Sequence, residues 1–542
     1  MASTTVDAIV IGAGPNGLVA ANALGDAGWD VLLLEAMPEV GGAVRSAEVT
    51  APGYVTDLFS AFYPLAAASP IIKDLDLGAH GLVWNHAPDV LAHVLDDGQA
   101  AVLRRAAEGT ASGLDQAAAG DGQAWLELFD GWRRVRDPLL DALFTPFPPL
   151  RAARRLVHRL GVRGSVDFAR LAATSVRRLG QEEFTGVGAP LLLTGSALHS
   201  DLHPDAAGSA LMGWLLCMLG QDVGYPVPRG GAGELAQALL RRATSVGVRC
   251  ETGARVTSVV TSAGRAVGVA LADGTVVGAR KAVLADVSAP ALYGALLRPD
   301  QVPPRLLDDL RRFEWDPATV KVNWALDRPV PWSAPGARGA GTVHLGVDDA
   351  GFVDFAADLS TGRVPGRPFL LFGQMTTADG TRSPVGTESA WAYTHVPASL
   401  GGSLGGALDW SGARLDEHVR AMEQAVERVA PGFAETVVAR HVQGPSALEG
   451  ADANLVGGAI NAGTAALHQQ LVFRPTPGLG RPETPIPGLY LAGASAHPGG
   501  GVHGACGWNA ARAALSANGR TGAVHRALVR TAWARLLRPP AS

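Results

Sequence analysis

The chain has 542 residues, 47% of them hydrophobic and 18% charged, with a formal net charge of −5. That length and apolar content suffice for a large core shared among two or more domains, and exclude a disordered or fibrous chain. The net negative charge offers no whole-protein attraction to nucleic acid, so no DNA or RNA partner is expected. Three widely separated cysteines, Cys217, Cys250 and Cys506, make neither a redox pair nor a zinc set.

In chain order, residues 8–11 form a short apolar run of strand type, and Gly12, Gly14 and Gly17 follow as G-x-G-x-x-G with Pro15 and Asn16 inside the turn. Residues 18–27 are alanine-rich and helix-favouring. Strand, glycine turn and helix in this order place a pyrophosphate at the helix N-terminus, where free N–H groups and the helix dipole favour negative charge. A second strand over residues 30–34 ends at Glu35, followed by Ala36. A carboxylate at that spacing accepts hydrogen bonds from ribose hydroxyls and repels a 2′-phosphate. Gly41 and Gly42, with Arg45 close behind, resemble the second glycine pair of flavoprotein oxidoreductases.

Residues 76–224 read mostly as helix, with a Pro/Phe-rich break at 144–149, and the Ala/Gly/Ser/Asp-rich stretch 106–122 reads as a surface loop. Residues 225–239 read as a loop entering a helix. Runs at 248–251, 255–261, 266–271, 275–277 and 281–285 read as strands, the middle three as an antiparallel meander. Residues 301–450 alternate short strands, such as 318–326 and 369–374, with Gly/Pro loops before a helix at 415–429. A glycine-rich stretch at 488–501 leads through Val502 into a helix at 504–515. With the N-terminal turn, this second signature points to one folded site for FAD.

His199 and His203 lack the acidic or thiol neighbours of a metal site and read as loop histidines, so no metal is expected. The first strand begins close to Met1, and the apolar run 209–220 is too short to span a bilayer. A cytoplasmic protein is therefore expected. The tail, with Arg520, Arg526, Arg530, Arg535 and Arg538 among apolar residues, leaves two readings open. One is a basic amphipathic helix in peripheral contact with an anionic membrane; the other is packing on the protein's own body or on a second copy in a homo-oligomer.

The element order, Gly41-Gly42, the segment 228–239 and above all Ala-Gly-Ala-Ser-Ala-His-Pro-Gly-Gly-Gly-Val at 492–502 resemble the phytoene (carotenoid) desaturase-like flavoproteins of the amine oxidase superfamily. Gly-Pro-Asn-Gly-Leu at 14–18 and Ser-Ala-Phe-Tyr-Pro-Leu at 60–65 are most similar to the pyridine nucleotide-disulfide oxidoreductase domain branch, although the chain has no cysteine pair and no second G-x-G-x-x-G. The resemblance implies an α/β fold in which a glutathione-reductase-type Rossmann FAD domain (1–75, 225–300, 451–518) is interleaved with an α+β substrate domain (76–224, 301–450), with 519–542 as a basic tail.

It implies that Gly12, Gly14, Gly17 and Glu35 hold the ADP half, with Gly41, Gly42 and Arg45 along the pyrophosphate and ribityl chain. Val256 would lie against adenine, Gly493 at a second pyrophosphate contact, and Gly500, Gly501 and Val502 beside the flavin. The implied activity is FAD-dependent oxidation or reduction of carbon–carbon bonds by desaturation, saturation or isomerisation of a small lipophilic, polyprenoid-type substrate. A flavin amine oxidase using oxygen and a flavin-bound regulatory protein stand as alternatives. Lys321 and His497 are the candidate catalytic residues: a lysine beside flavin N5, against an alternate-face lysine reaching solvent, and a proton relay, against a loop-locking histidine. His503 and Trp508 are candidates for the pocket lining.

Overall fold

The computed structural model describes residues 5–399, 408–478 and 480–537. The strand Thr5–Ile11 is apolar from Ala8 onward, as expected of a strand covered on both faces. It lies inside a seven-stranded sheet, paired in parallel with Val31–Leu34 on one side and Val276–Ala285 on the other. Arg249–Glu251 and Leu489–Leu491 extend the parallel layer at its two sides. Val276–Ala285 serves two partners. Its first residues pair antiparallel with Arg265–Leu271, which pairs with Val256–Ser262, and its last residues run parallel to Leu489–Leu491. The meander is thus a continuation of the parallel layer. The helices Pro15–Asp26, Gly233–Ser245 and Ala505–Asn518 stack against one another: Asn22 Nδ2 donates to Leu239 O at 3.0 Å, and a β-carbon on Gly507 would stand 1.8 Å from Asn16 O.

A second seven-stranded sheet runs in the order Val437–Gln443, Ala318–Leu326, Glu388–Val396, Leu370–Gln374, Ala340–Leu345, Asp89–Val94, Ala100–Leu103. Helices including Asp121–Phe144, Gly188–Ala197 and Ser209–Asp222 pack beside it, with Trp125, Trp132 and Trp214 in their core. Two sequence expectations are corrected here. Residues 76–224 are not mostly helical at their start, because Asp89–Val94 is held as a strand by parallel pairing with Ala340–Leu345, some 250 positions away. Residues 106–122 are not a loop: Ala107–Ala117 is a helix whose buried Ala107, Thr110, Ala111 and Leu114 recur at i, i+3, i+4, i+7.

Between the sheets lies a buried ion network. Arg382 donates to Asp57 Oδ1 and Oδ2 at 3.0 and 2.9 Å and to Asp379 Oδ2 at 3.1 Å, all three side chains sealed from solvent. Asp57 also accepts the N–H of Ala232, and Asp379 that of Gly230. The C-terminal helix Gly522–Leu536 packs Trp533 against the cluster under the first sheet, while Val524 and Leu528 stay 63% and 67% exposed. Arg538, counted in the basic tail, lies outside the described residues. No helix among the described residues is long and apolar enough to cross a membrane.

Candidate active site

The turn after Thr5–Ile11 needs its glycines. Gly12 has φ +92, in the left-handed region, and a β-carbon on Gly17 would stand 2.0 Å from Gly12 O. The first helix is capped by Gly14, which has no side chain to satisfy the N-terminal N–H groups, with Pro15 at its first turn. Glu35, at the end of the next strand, takes the Ala13 N–H on Oε2 at 2.7 Å and the Met37 N–H on Oε1 at 2.9 Å. Its carboxylate is thereby fixed beside the glycine turn. The chain at 253–254 bonds back to Met37 and Glu35, which brings Val256 alongside Glu35 and Ala36.

Gly41 donates to Ala13 O at 2.8 Å, and Gly42 lies so close to Gly14 that a β-carbon would stand 3.2 Å from its Cα. The two glycine signatures are therefore in contact. Arg45 donates to Gly42 O at 2.9 Å and Ala451 O at 2.7 Å, tying this loop to the helix Pro445–Ala451. Gly493 donates to Ala285 O at 3.2 Å, at the end of the central strand.

The N-terminus of the helix Ala505–Asn518 arrives at the same place, since Gly507 rests on the backbone of Asn16. Two helix N-termini, each with a positive dipole end, converge where one cofactor could use both. The loop leading there is strained: Val502 has φ 54, a left-handed conformation costly for a β-branched residue. Gly500 lies against Asn461 and Gly501 against Leu65.

Sequence reasoning missed Asp286 and Asp452. Asp286 Oδ2 accepts the Gly17 N–H at 2.7 Å. Burial pushes its carboxyl up to about 8, and the nearby Asp452 and Glu35 add to the rise, so the group is largely protonated near neutrality. Asp452, also pushed up by burial, points Oδ2 at Gly42. An aspartate closing the apolar run 281–285 was the available signal. These residues fit FAD. The glycine cradle has no room for β-carbons, Glu35 is a held acceptor, the helix ends lack side-chain caps, and Asn16 Oδ1 is buried without a partner.

Next to this crevice a half-open cavity of about 310 Å³ lies between the glycine loop and one face of the second sheet. Leu65, Leu143, Met212, Leu215 and Leu216 make an apolar floor, and Gly500, Gly501, Val502 and His503 border it. From the sheet, Lys321 reaches into it, only 3% exposed. The amine donates to the carbonyls of Asp57 and Phe59 and lies 5.2 Å from the centre of the Trp391 ring. Burial pulls its pKa down to about 7. A lysine reaching solvent from a half-buried strand is ruled out, because Ala318–Leu326 is buried at every position.

His497 does not line the cavity. Its Nε2 meets Thr145 O at 3.1 Å and burial pulls its pKa to about 4, so it fixes the glycine loop to the end of a helix. His503 does line it. Its Nδ1 accepts the Ala505 N–H at 3.0 Å, and burial holds the ring neutral with a pKa of about 4, leaving the proton on Nε2. His199 lines it too, its Nε2 2.8 Å from His344 Nε2, both rings kept neutral by burial. His203 instead accepts the Asp205 N–H within its own loop. Trp508 lies away from the cavity, beneath Arg512. Among the described residues no group of three His, Cys, Asp or Glu side chains is arranged for a metal.

Fold and site together define a dinucleotide-binding protein with a mainly apolar cavity beside the dinucleotide crevice. The chain belongs to the family described as flavin containing amine oxidoreductase, whose model matches residues 16–391. It is 30% identical to mouse (Mus musculus) pyridine nucleotide-disulfide oxidoreductase domain-containing protein 2, over 93% of this chain and 92% of that protein. It is 23% identical to a limonene dehydrogenase polypeptide of Castellaniella defragrans, over 93% of this chain and 94% of that one. A lycopene-forming phytoene desaturase of Pseudescherichia vulneris matches at 27% over 54% of this chain and 56% of the enzyme. An oxidoreductase from Methanosarcina mazei shares the fold, with a TM-score of 0.62 at 14% identity over 94% of this chain and 99% of that one. The protein is an FAD-dependent oxidoreductase.

Proposed function

We propose that the protein oxidises or reduces a carbon–carbon bond of a small lipophilic substrate, by desaturation, saturation or isomerisation, with FAD as the hydride partner. Bound FAD supplies a two-electron centre at flavin N5. The observation that carries this reading is the mainly apolar cavity bordered by Gly500, Gly501 and Val502 at the converging helix ends. In this reading Glu35 binds the ribose, the two helix N-termini and the glycine pairs hold the pyrophosphate and the flavin, and Asp286 carries a proton that limits negative charge beside the phosphates. Arg45 and His497 fix the surrounding loops. Leu65, Met212 and Leu216 exclude water and orient the substrate. Lys321 holds or releases a proton at Nζ on the sheet side.

Relatives named limonene dehydrogenase and phytoene desaturase support a carbon–carbon bond as the target. A cavity of about 310 Å³, at the small end of the ~300–1,000 Å³ range of ligand pockets, favours a compact terpenoid over a long polyene. The finer fold reading is a glutathione-reductase-type FAD domain interleaved with a substrate domain, supported by the strand shared between parallel layer and meander. Contact of the helix Gly522–Leu536 with an anionic lipid surface, supported by exposed Val524 and Leu528, would be removed by unchanged vesicle binding after deletion of residues 519–542.

Amine oxidation is the competing reading, favoured by the family's description. Against it, Lys321 already lies over the Trp391 ring, the surface a substrate ammonium would use. Anaerobic titration of the FAD-loaded protein with terpenoid alkenes, their saturated counterparts and amines decides. Bleaching of the flavin band by terpenoids is expected, and bleaching by amines alone would overturn the proposal.

A further inference from the structure

The inner strands of the second sheet are largely buried along both faces, and the faces differ. One carries the apolar cluster of Val320, Val322, Phe372, Ala392 and Val343. The other, one residue out of phase along each strand, turns Thr319, Lys321, Thr342 and Tyr393 to the cavity. A strand sealed on both sides normally runs apolar throughout. Here the strands alternate, and the more polar face meets the half-open cavity rather than bulk solvent.

Several of its polar groups are unused. Thr342 Oγ1 is buried without a hydrogen-bond partner. Neither the Tyr393 hydroxyl nor the Ser200 hydroxyl bonds to a described residue, and both side chains line the cavity. Unpaired polar groups in an apolar chamber are destabilising unless a ligand or solvent meets them.

The surroundings select the charge of that ligand. Behind Tyr393, His395 pairs with Asp201 at 2.6 Å, and Asp316 accepts the N–H groups of Ile460, Asn461 and Gly463. Burial and these two carboxylates hold the Tyr393 hydroxyl well above its ordinary range, so it remains a donor. A substrate carboxylate bonded to Tyr393 would stand near Asp201 and Asp316, which act on that hydroxyl from behind the cavity wall, and a substrate ammonium would meet Lys321 on the wall itself. His199 and His503 on the cavity wall are neutral. An uncharged oxygen meets no such opposition.

We infer that the substrate is a compact lipophile bearing one uncharged oxygen function, a ketone or hydroxyl, recognised by Tyr393 and Ser200 while its apolar remainder packs on Leu65, Met212 and Leu216. The inference rests on the carbon–carbon reading above and narrows its substrate class from hydrocarbons to oxygenated terpenoid-like molecules.

The test is a binding comparison on the FAD-loaded protein with three probes of one skeleton: a cyclic monoterpene hydrocarbon, its ketone and its carboxylate. Calorimetry and quenching of tryptophan fluorescence report affinity independently of turnover. The ketone is expected to bind roughly tenfold more tightly than the hydrocarbon and the carboxylate. Tyr393→Phe and Ser200→Ala are each expected to weaken ketone binding roughly three- to tenfold and to leave hydrocarbon binding unchanged. If Tyr393→Phe does not fold, Ser200→Ala decides alone. Equal affinity for hydrocarbon and ketone, tightest binding of the carboxylate, no binding of any probe, or unchanged ketone binding in the folded variants would overturn it. Ketone binding with a flavin that no terpenoid bleaches when oxidised or reoxidises when reduced would leave the recognition standing and remove the proposed desaturation and saturation.

Discussion

Lys321 and Glu35 show how single side chains set the chemistry of this site. Burial pulls the Lys321 amine from 10.5 to about 7. Asp57, the carboxylate that would oppose this, is already engaged in both of its oxygens by Arg382. Between about 7 and 10.5 the unfolded chain holds a proton that the native protein lacks, so stability rises with pH through that window. Below it both states are protonated and the burial of the cation opposes folding in full. Lys321→Met is therefore expected to stabilise more at about pH 6 than at about pH 9, read from denaturant midpoints. It should also remove any limb near neutrality from the pH profile of flavin reduction. Glu35→Ala removes the acceptor for Ala13 and Met37 together with the ribose partner. With hydrogen bonds to charged groups contributing ~1.5–3 kcal/mol, FAD affinity should fall about ten- to a hundredfold in a flavin-fluorescence titration.

Among elements, the contact of the two helices Pro15–Asp26 and Ala505–Asn518 matters most, because it brings their N-terminal ends together. Gly507→Val would drive a side chain into the Asn16 backbone, costing ~1–3 kcal/mol. A lowered melting temperature and loss of retained FAD are the expected outcomes, against Gly294→Ala as a control where no atom stands within 4 Å of the added β-carbon. The turn from Gly12 to Glu35 was legible in the sequence because strand, glycines, helix and acid are contiguous, so local chemistry suffices. Asp89–Val94 was overlooked although its hairpin with Ala100–Leu103, turned at Asp97-Gly98, is local; its place inside the sheet depends on pairing with Ala340–Leu345. Ala107–Ala117 was misread for another reason: small and polar residues masked a short amphipathic stripe whose burial decides the helix. The alternation of Thr319 and Lys321 was visible, but it suits a solvent-facing strand equally well, and only the cavity above it gives the pattern its meaning.

Across the whole molecule, the Asp57–Arg382–Asp379 network ties the glycine-turn side to the second sheet with every charge paired. Arg382→Met leaves two buried carboxylates uncompensated and should destabilise by ~3–5 kcal/mol, measured by chemical denaturation. Acid should loosen the protein through its histidines. His93, His199, His418, His497 and His503 are each pulled by burial to about 4 from 6.5. As pH falls from about 6.5 toward 4 the unfolded chain takes up protons that the native state refuses. Stability contributed by keeping these rings neutral is present above that window and declines through it. Melting temperatures across the range should fall steeply, and His418→Phe, away from the cavity, should reduce the slope.

The sequence by itself determined the dinucleotide cradle: which glycines turn the chain, which acid stands beside that turn, and that segments from both ends of the chain belong to it. Those features are written in contiguous residues whose backbone needs are local. The tertiary structure decided what the cradle faces. Lys321 is inside rather than at the surface, His503 rather than His497 borders the cavity, Asp286 lies buried under the first helix with its carboxyl pushed up, and Tyr393 waits with a hydroxyl that no described residue engages. Each of these depends on burial, and burial is a property of how segments hundreds of residues apart come together.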